Sequence, residues 1–233
     1  MPDRDHTSTH YEQQLSLVKK KLLDMSYHAE WMIAESIRSL VERRPSLAEQ
    51  VIHRDDVVDR LEIEIDDLCF ELVAREQPVA CDLRFVATAL KIVKDIERIG
   101  DTAVNIAERS IELIQEPELK PLVDLPLMAS VAQRILKESL DAFVNSDAEL
   151  AAKVIQKDRA LDNLYGQILR ELLTYMLEDP RTVSRAIKLI FIAKHLERVG
   201  DHSANIGEMV VFLVSGQDVR HRPDLAAAAS DGG

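Results

Sequence analysis

"ERIGDTAVNIAE" occupies residues 97–108, and "ERVGDHSANIGE" occupies residues 197–208. Seven of the twelve positions agree: Glu97/Glu197, Arg98/Arg198, Gly100/Gly200, Asp101/Asp201, Asn105/Asn205, Ile106/Ile206 and Glu108/Glu208. Most of these are polar. Packing alone would repeat the apolar positions, so a repeat that keeps its charges needs a second reason.

The repeat extends outward from this motif. "VIHRDDVVDRL" (51–61) aligns with "VIQKDRALDNL" (154–164) at an offset of 103. "MSYHAEWMIAESIRSLV" (25–41) aligns with "MASVAQRILKESLDAFV" (128–144) at the same offset. The opening motif repeats at an offset of 100, which places a short deletion in the later turn of the second half. Three segments that agree in order and nearly in offset make a tandem duplication.

Within each half, apolar residues recur in steps of three and four. One stripe runs Val51, Val58, Leu61, Ile65, Leu68, Leu72; another runs Leu83, Val86, Leu90, Val93, then Val104, Ala107, Ile111, Ile114. This is the period of long amphipathic helices and not the alternation of strands. Glycine and proline are scarce, and aromatic residues make up only 4% of the chain, which also disfavours sheet. Turn residues at 43–46, 76–82, 116–126, 145–147 and 178–180 cut the chain into six helices, near 9–43, 47–75, 83–115, 119–144, 148–177 and 181–214. Ser46, Asp82 and Asp179 are expected as N-caps, with Pro180 at the first helical position and Pro78 as a break. The expected fold is all-α: two tandem antiparallel three-helix bundles, residues 1–116 and 117–215, followed by a disordered tail at 216–233.

Composition excludes several functions. A net charge of −12 with no basic patch larger than Lys19–Lys20–Lys21 argues against nucleic acid. Two cysteines, Cys69 and Cys81, form no CxxC pair and no disulfide framework, which suits a reducing cytoplasm. The longest apolar run, "MVVFLV" (209–214), is far short of the roughly 20 residues that span a bilayer, so a membrane would be met only through a partner. There is no P-loop, GxSxG, HExxH or the Glu-x-x-His element of di-iron bundles.

The repeated charges sit on helices. On a wheel, the stripe Leu83–Val93 runs through Glu97 and Gly100 before reaching Val104. Asp101, Asn105 and Glu108 follow Glu97 within an arc of roughly 80°, a ladder of oxygen atoms along the edge of the apolar face. Glu197, Asp201, Asn205 and Glu208 repeat it. The middle helix of each half carries a matching i,i+4 pair, Asp55 with Asp59 and Asp158 with Asp162. Like charges at that spacing cost a few tenths of a kcal/mol and need an offset. Two offsets compete. Arg98, Arg198, Lys94 and Lys194 could neutralise the acids in a salt-bridge network, an arrangement of little net worth at a surface. Alternatively, two adjoining helices hold metal ions between them, for which carboxylates are suitable hard ligands. His195 and His202 occur in the second half only and are expected at the surface, although His202, beside Asp201, could contribute a ligand; Tyr27 and Trp31 are expected as core or interface anchors.

"QPVACDLRFVATALKIVKDIERIGDTAVNIAE" and "DPRTVSRAIKLIFIAKHLERVGDHSANIGE" resemble the two motif-bearing helices of the PhoU family, regulators of bacterial phosphate uptake. The resemblance spans about residues 10–215. It implies a cytoplasmic, non-enzymatic, often dimeric regulator. Such a protein links the phosphate ABC transporter ATPase to a phosphate-sensing histidine kinase and represses phosphate-starvation signalling. It also implies metal ions, iron or zinc before manganese or magnesium, at Asp55, Asp59, Glu97 and Asp101, and again at Asp158, Asp162, Glu197 and Asp201. Asp95 stands where the second half has His195, so the two sites need not be alike. A carboxylate-bridged metallohydrolase or phosphatase, and a metal-free helical adaptor, remain the other functional classes open to such a chain.

Overall fold

The computed structural model describes residues 4–76 and 80–216, and all of its long elements are helices. They are α1 (Arg4–Val41), α2 (Pro45–Glu76), α3 (Ala80–Ile114), α4 (Asp124–Asn145), α5 (Ala148–Glu178) and α6 (Val183–Ser215), with a 3-10 turn at Pro180–Thr182 leading into α6. Helices α1, α2 and α3 pack on one another, as do α4, α5 and α6, giving two three-helix bundles.

The duplication is visible in the turns. Helix α1 closes with Arg43 left-handed at φ 52°, with Arg44 N donating to Ser39 O (2.9 Å) and Arg43 N to Leu40 O (3.3 Å). Helix α4 closes the same way, 103 residues later: Ser146 lies at φ 53°, Asp147 N donates to Ala142 O (2.9 Å) and Ser146 N to Phe143 O (3.2 Å). These 6→1 closures satisfy carbonyls that a helix end leaves open. The next helix then starts at equivalent positions, Pro45 and Ala148. The three-residue change of offset falls in the following connection, because α5 reaches the Pro180 turn through Asp179 alone.

Several expected caps move. Proline suits a first helical position, so α2 starts at Pro45 and Ser46 lies inside its first turn instead of capping it. Helix α3 starts at Ala80, which makes Asp82 a first-turn acid facing the positive helix end. Asp179 does cap, its side chain accepting from Arg181 N at 3.0 Å, but it caps the 3-10 turn. Helix α4 starts at Asp124, five residues later than expected. Pro121 lacks an N–H, and side chains tie down the segment before it: Arg43 donates to Glu116 O (2.7 Å), Arg185 to Pro117 O (3.0 Å), and buried Lys120 pairs with Asp124 (2.8 Å) and Glu171. Pro78 and the tail from 217 onward lie outside the described residues.

The bundles share one core. Helix α3 lies against α6 and α1 against α4, and the buried apolar residues form one cluster running through both halves. Phe85 of α3 stacks on Phe143 of α4 with ring centroids 5.3 Å apart. Gln133 of α4 donates to Glu30 O of α1 at 2.9 Å, and Lys19 of α1 donates to Val144 O at 3.1 Å. Trp31 packs against the core under the Arg54 guanidinium, whereas Tyr27 is 61% exposed and is no core anchor. Among the described residues no helix is long and apolar enough to cross a membrane.

Candidate metal sites between paired helices

Each bundle sets the middle helix against its motif-bearing helix with acids on both. In the first bundle, Asp55 is half-buried and Asp59 exposed on α2; Glu97 is half-buried and Asp101 exposed on α3. Burial first, then the charges of Asp59, Asp101, Glu97 and Asp56, push the Asp55 carboxyl up to about 6. In the second bundle, burial and then Asp201, Asp162 and Glu197 push Asp158 up to about 7. In each set the acids of one helix therefore lie within electrostatic reach of those on the other.

Glycine makes the approach possible. A Cβ at Gly100 would lie 3.3 Å from both Asp55 Oδ1 and Val58 Cγ1. A Cβ at Gly200 would overlap Asp158 Oδ1 and come within 2.5 Å of Leu161 Cδ1. The repeated glycine thus lets a carboxylate of the neighbouring helix lie on the backbone of the motif helix. Asp158 Oδ1 is buried there without a hydrogen-bond partner, an expensive condition for a carboxylate oxygen.

A salt-bridge network accounts for little of this. Lys194 does pair with Glu197 (2.5 Å), but Lys94 turns to Glu62 of α2. The second half has Tyr165 in place of Glu62, and Lys194 rides over that ring at 5.4 Å while reaching Glu197. Among the described residues, Asp55, Asp59, Asp101, Asp158, Asp162 and Asp201 form no ion pair, and Arg98 and Arg198 point to solvent. The acids are neighbours without having closed on one centre: no group of three or more His, Cys, Asp and Glu among the described residues stands at ligating geometry. Crowded acids of which, among the described residues, Glu197 alone has a cationic partner, with one oxygen orphaned, are a donor set that suits a hard divalent cation.

The rest of the ladder splits. Asn105 donates back to Asp101 O at 2.7 Å, and Glu108 is exposed. Asn205 instead faces Asp95 Oδ1 at 3.4 Å. Asp95 is 4% exposed and accepts from His202 Nδ1 at 2.8 Å. Helical spacing alone does not reveal this α3–α6 bridge, and His202 is not at the surface as expected: the ring is buried where the bundles meet. The signal in the sequence was that positions 95/195 and 102/202 break the repeat seven residues apart on one helical face. His195 is half-buried with Nδ1 unpartnered, and burial, then Arg198 and Arg109, hold its imidazole down at about 4.

A family model described as the PhoU domain matches residues 22–110 and again residues 125–210. The chain belongs to the PhoU family. The phosphate-specific transport system accessory protein PhoU homolog of Pseudomonas aeruginosa is 42% identical over 93% of this chain and 90% of its own length. That of Aquifex aeolicus is 41% identical over 90% and 95%. The crystal structure of PhoU from P. aeruginosa superposes with a TM-score of 0.85 at 40% identity, over 89% of this chain and all of that one. The phosphate transport system regulatory protein PhoU from Streptococcus pneumoniae gives 0.83 at 26% identity, over 90% and 99%. The two matched stretches of the PhoU domain fall on α1–α3 and α4–α6.

Proposed function

We propose that this chain regulates phosphate uptake as a non-enzymatic helical adaptor whose two carboxylate sites hold metal ions. Its relatives' names as accessory proteins of the phosphate-specific transport system support the first part. The metal part rests on one observation: Asp158 Oδ1 is pressed, without a partner, onto the motif helix at Gly200, where no side chain intervenes, among three more acids. Asp55 at Gly100 repeats the arrangement.

In this reading residues 1–116 and 117–215 are the two repeats. Asp55, Asp59, Glu97 and Asp101 hold metal in the first; Asp158, Asp162, Glu197 and Asp201 hold it in the second. A bound iron or zinc ion supplies positive charge and fixed coordination, nothing more. The chain's own residues do the rest. With their mutual repulsion cancelled by that charge, they would set the helix spacing and present a stiffer face to partners. The transporter ATPase and a phosphate-sensing histidine kinase are the partners in the cytoplasm, met by a homodimer. A metal can shift the choice between partners only if they bind the loaded and empty forms differently.

Elemental analysis of protein purified anaerobically, set beside Glu97→Ala/Asp101→Ala and Asp158→Ala/Asp201→Ala variants, tests the assignment. Each double variant is expected to lose the metal of its own bundle and keep the other's. Unchanged metal content in both would reject the sites.

A further inference from the structure

Helix α2 turns one face to solvent that its duplicate does not copy. The buried positions of the two helices agree at an offset of 103: Val51/Val154, Val58/Leu161, Ile65/Ile168 and Cys69/Leu172 are buried in both. Opposite them on α2 lie Asp56, Arg60, Ile63, Asp67, Phe70 and Ala74, within an arc of about 80°. The same positions of α5 are Arg159, Asn163, Gly166, Arg170, Leu173 and Leu177. Two acids of one face are thus two arginines of the other. Asp56, Asp67, Arg159 and Arg170 form no ion pair among the described residues. Both faces also carry large exposed apolar side chains: Ile63 (60%) and Phe70 (62%) on α2, Leu173 (44%) and Leu177 (85%) on α5.

Gly166 is the second, independent observation. It sits near the middle of a 31-residue helix, where glycine costs about 1 kcal/mol relative to alanine. Unlike Gly100, Gly200 and Gly207, it is not required by anything inside the chain. A Cβ there would meet only the flexible Arg170 guanidinium, at 3.5 Å. Its counterpart on α2 is the exposed Ile63.

We propose that the outer face of α2 in one molecule docks on the outer face of α5 in a second copy of this chain. The helices run parallel, with Asp56 on Arg159, Ile63 in the notch at Gly166, Asp67 on Arg170 and Phe70 on Leu173. Charge complementarity decides the occupant. Two α2 faces run parallel would set acid on acid, whereas α2 on α5 sets both acids of the face on arginines and leaves Arg60 opposite Asn163. Within the chain α2 and α5 lie on opposite flanks, since α1, α3, α4 and α6 make the contacts between bundles. The contact is therefore heterologous, joining unlike ends, and propagates as a row unless a ring closes. One helix on one helix with solvent-edged ion pairs makes a weak, salt-sensitive interface. It is independent of the carboxylate metal sites and of any two-fold dimer formed elsewhere.

Sedimentation of the full chain over a range of concentrations, with chelator present, tests this. The average mass is expected to rise with concentration and to fall back when salt is added. Asp56→Arg/Asp67→Arg and Arg159→Asp/Arg170→Asp should each abolish the rise, and an equal mixture of the two should restore it. Gly166→Leu should melt higher than wild type, because it relieves a helix-interior glycine, and still lose the association. A mass independent of concentration in the wild type would overturn the proposal. So would a rise that survives in both Asp56→Arg/Asp67→Arg and Gly166→Leu.

Discussion

Two glycines at equivalent positions carry different loads. A Cβ at Gly100 would touch Asp55 Oδ1 and Val58 Cγ1 at 3.3 Å, tight contacts that small shifts can relieve. At Gly200 it would overlap Asp158 Oδ1 and crowd Leu161. Alanine gains about 1 kcal/mol of helix propensity at either site. Gly100→Ala should therefore be near neutral, while overpacking in Gly200→Ala should leave it about 1–3 kcal/mol less stable in chemical denaturation. The carboxylates they face set a pH dependence. Asp55 and Asp158 have folded values of about 6 and 7, above the unfolded value near 4, so the native state binds their protons more tightly. Their stabilising effect is complete below about pH 4 and is lost as pH rises through about 7. His195 acts oppositely, since its folded value of about 4 makes it lose stability as pH falls below its unfolded value of about 6.5. The clean measurement is a comparison: with chelator at pH 8, Asp158→Asn should melt above wild type, and the two should converge at pH 4. An equal gap at both pH values would remove the Asp158 charge as the cause.

At the scale of helices, a cap is a direct lever. Asp147 accepts from Leu150 N at 2.9 Å at the start of α5, whereas Ser46 sits inside the first turn of α2. Asp147→Ala should cost about 1 kcal/mol, and Ser46→Ala should fall within about 0.5 kcal/mol of wild type, both read from urea midpoints. This difference shows what the sequence could tell and what it could not. The six helices, their order and the duplication follow from the spacing of apolar residues and from prolines, because long amphipathic stripes have one reasonable outcome. Pairing of the acids was also legible, since Glu97, Gly100 and Asp101 share an edge with the core stripe. The start of α4 was not: it depends on Arg43, Arg185 and Lys120 reaching in from distant helices. Nor was the burial of His202. A helical wheel shows which face is polar but not that another helix covers it, and Asp95 waits across the α3–α6 contact 107 residues away.

For the whole molecule, the two bundles are bound too closely to unfold apart. The apolar cluster is continuous, Phe85 stacks on Phe143, and Asp95 with His202 fills the polar gap between α3 and α6. Separating the halves would expose apolar faces of α1, α3, α4 and α6 and strip a buried carboxylate of its donor, so a half-unfolded species has no compensating gain. Trp31, the single tryptophan, lies in the first bundle and reports on that half alone. Far-ultraviolet dichroism reports on all six helices. Urea transitions followed by the two signals should coincide. His202→Ala leaves buried Asp95 with only the long Asn205 contact and should lower both midpoints together, by about 1–3 kcal/mol of stability. A tryptophan transition that stays at its wild-type midpoint while the dichroism splits into two steps would show that the bundles fold independently and that the shared core does not couple them.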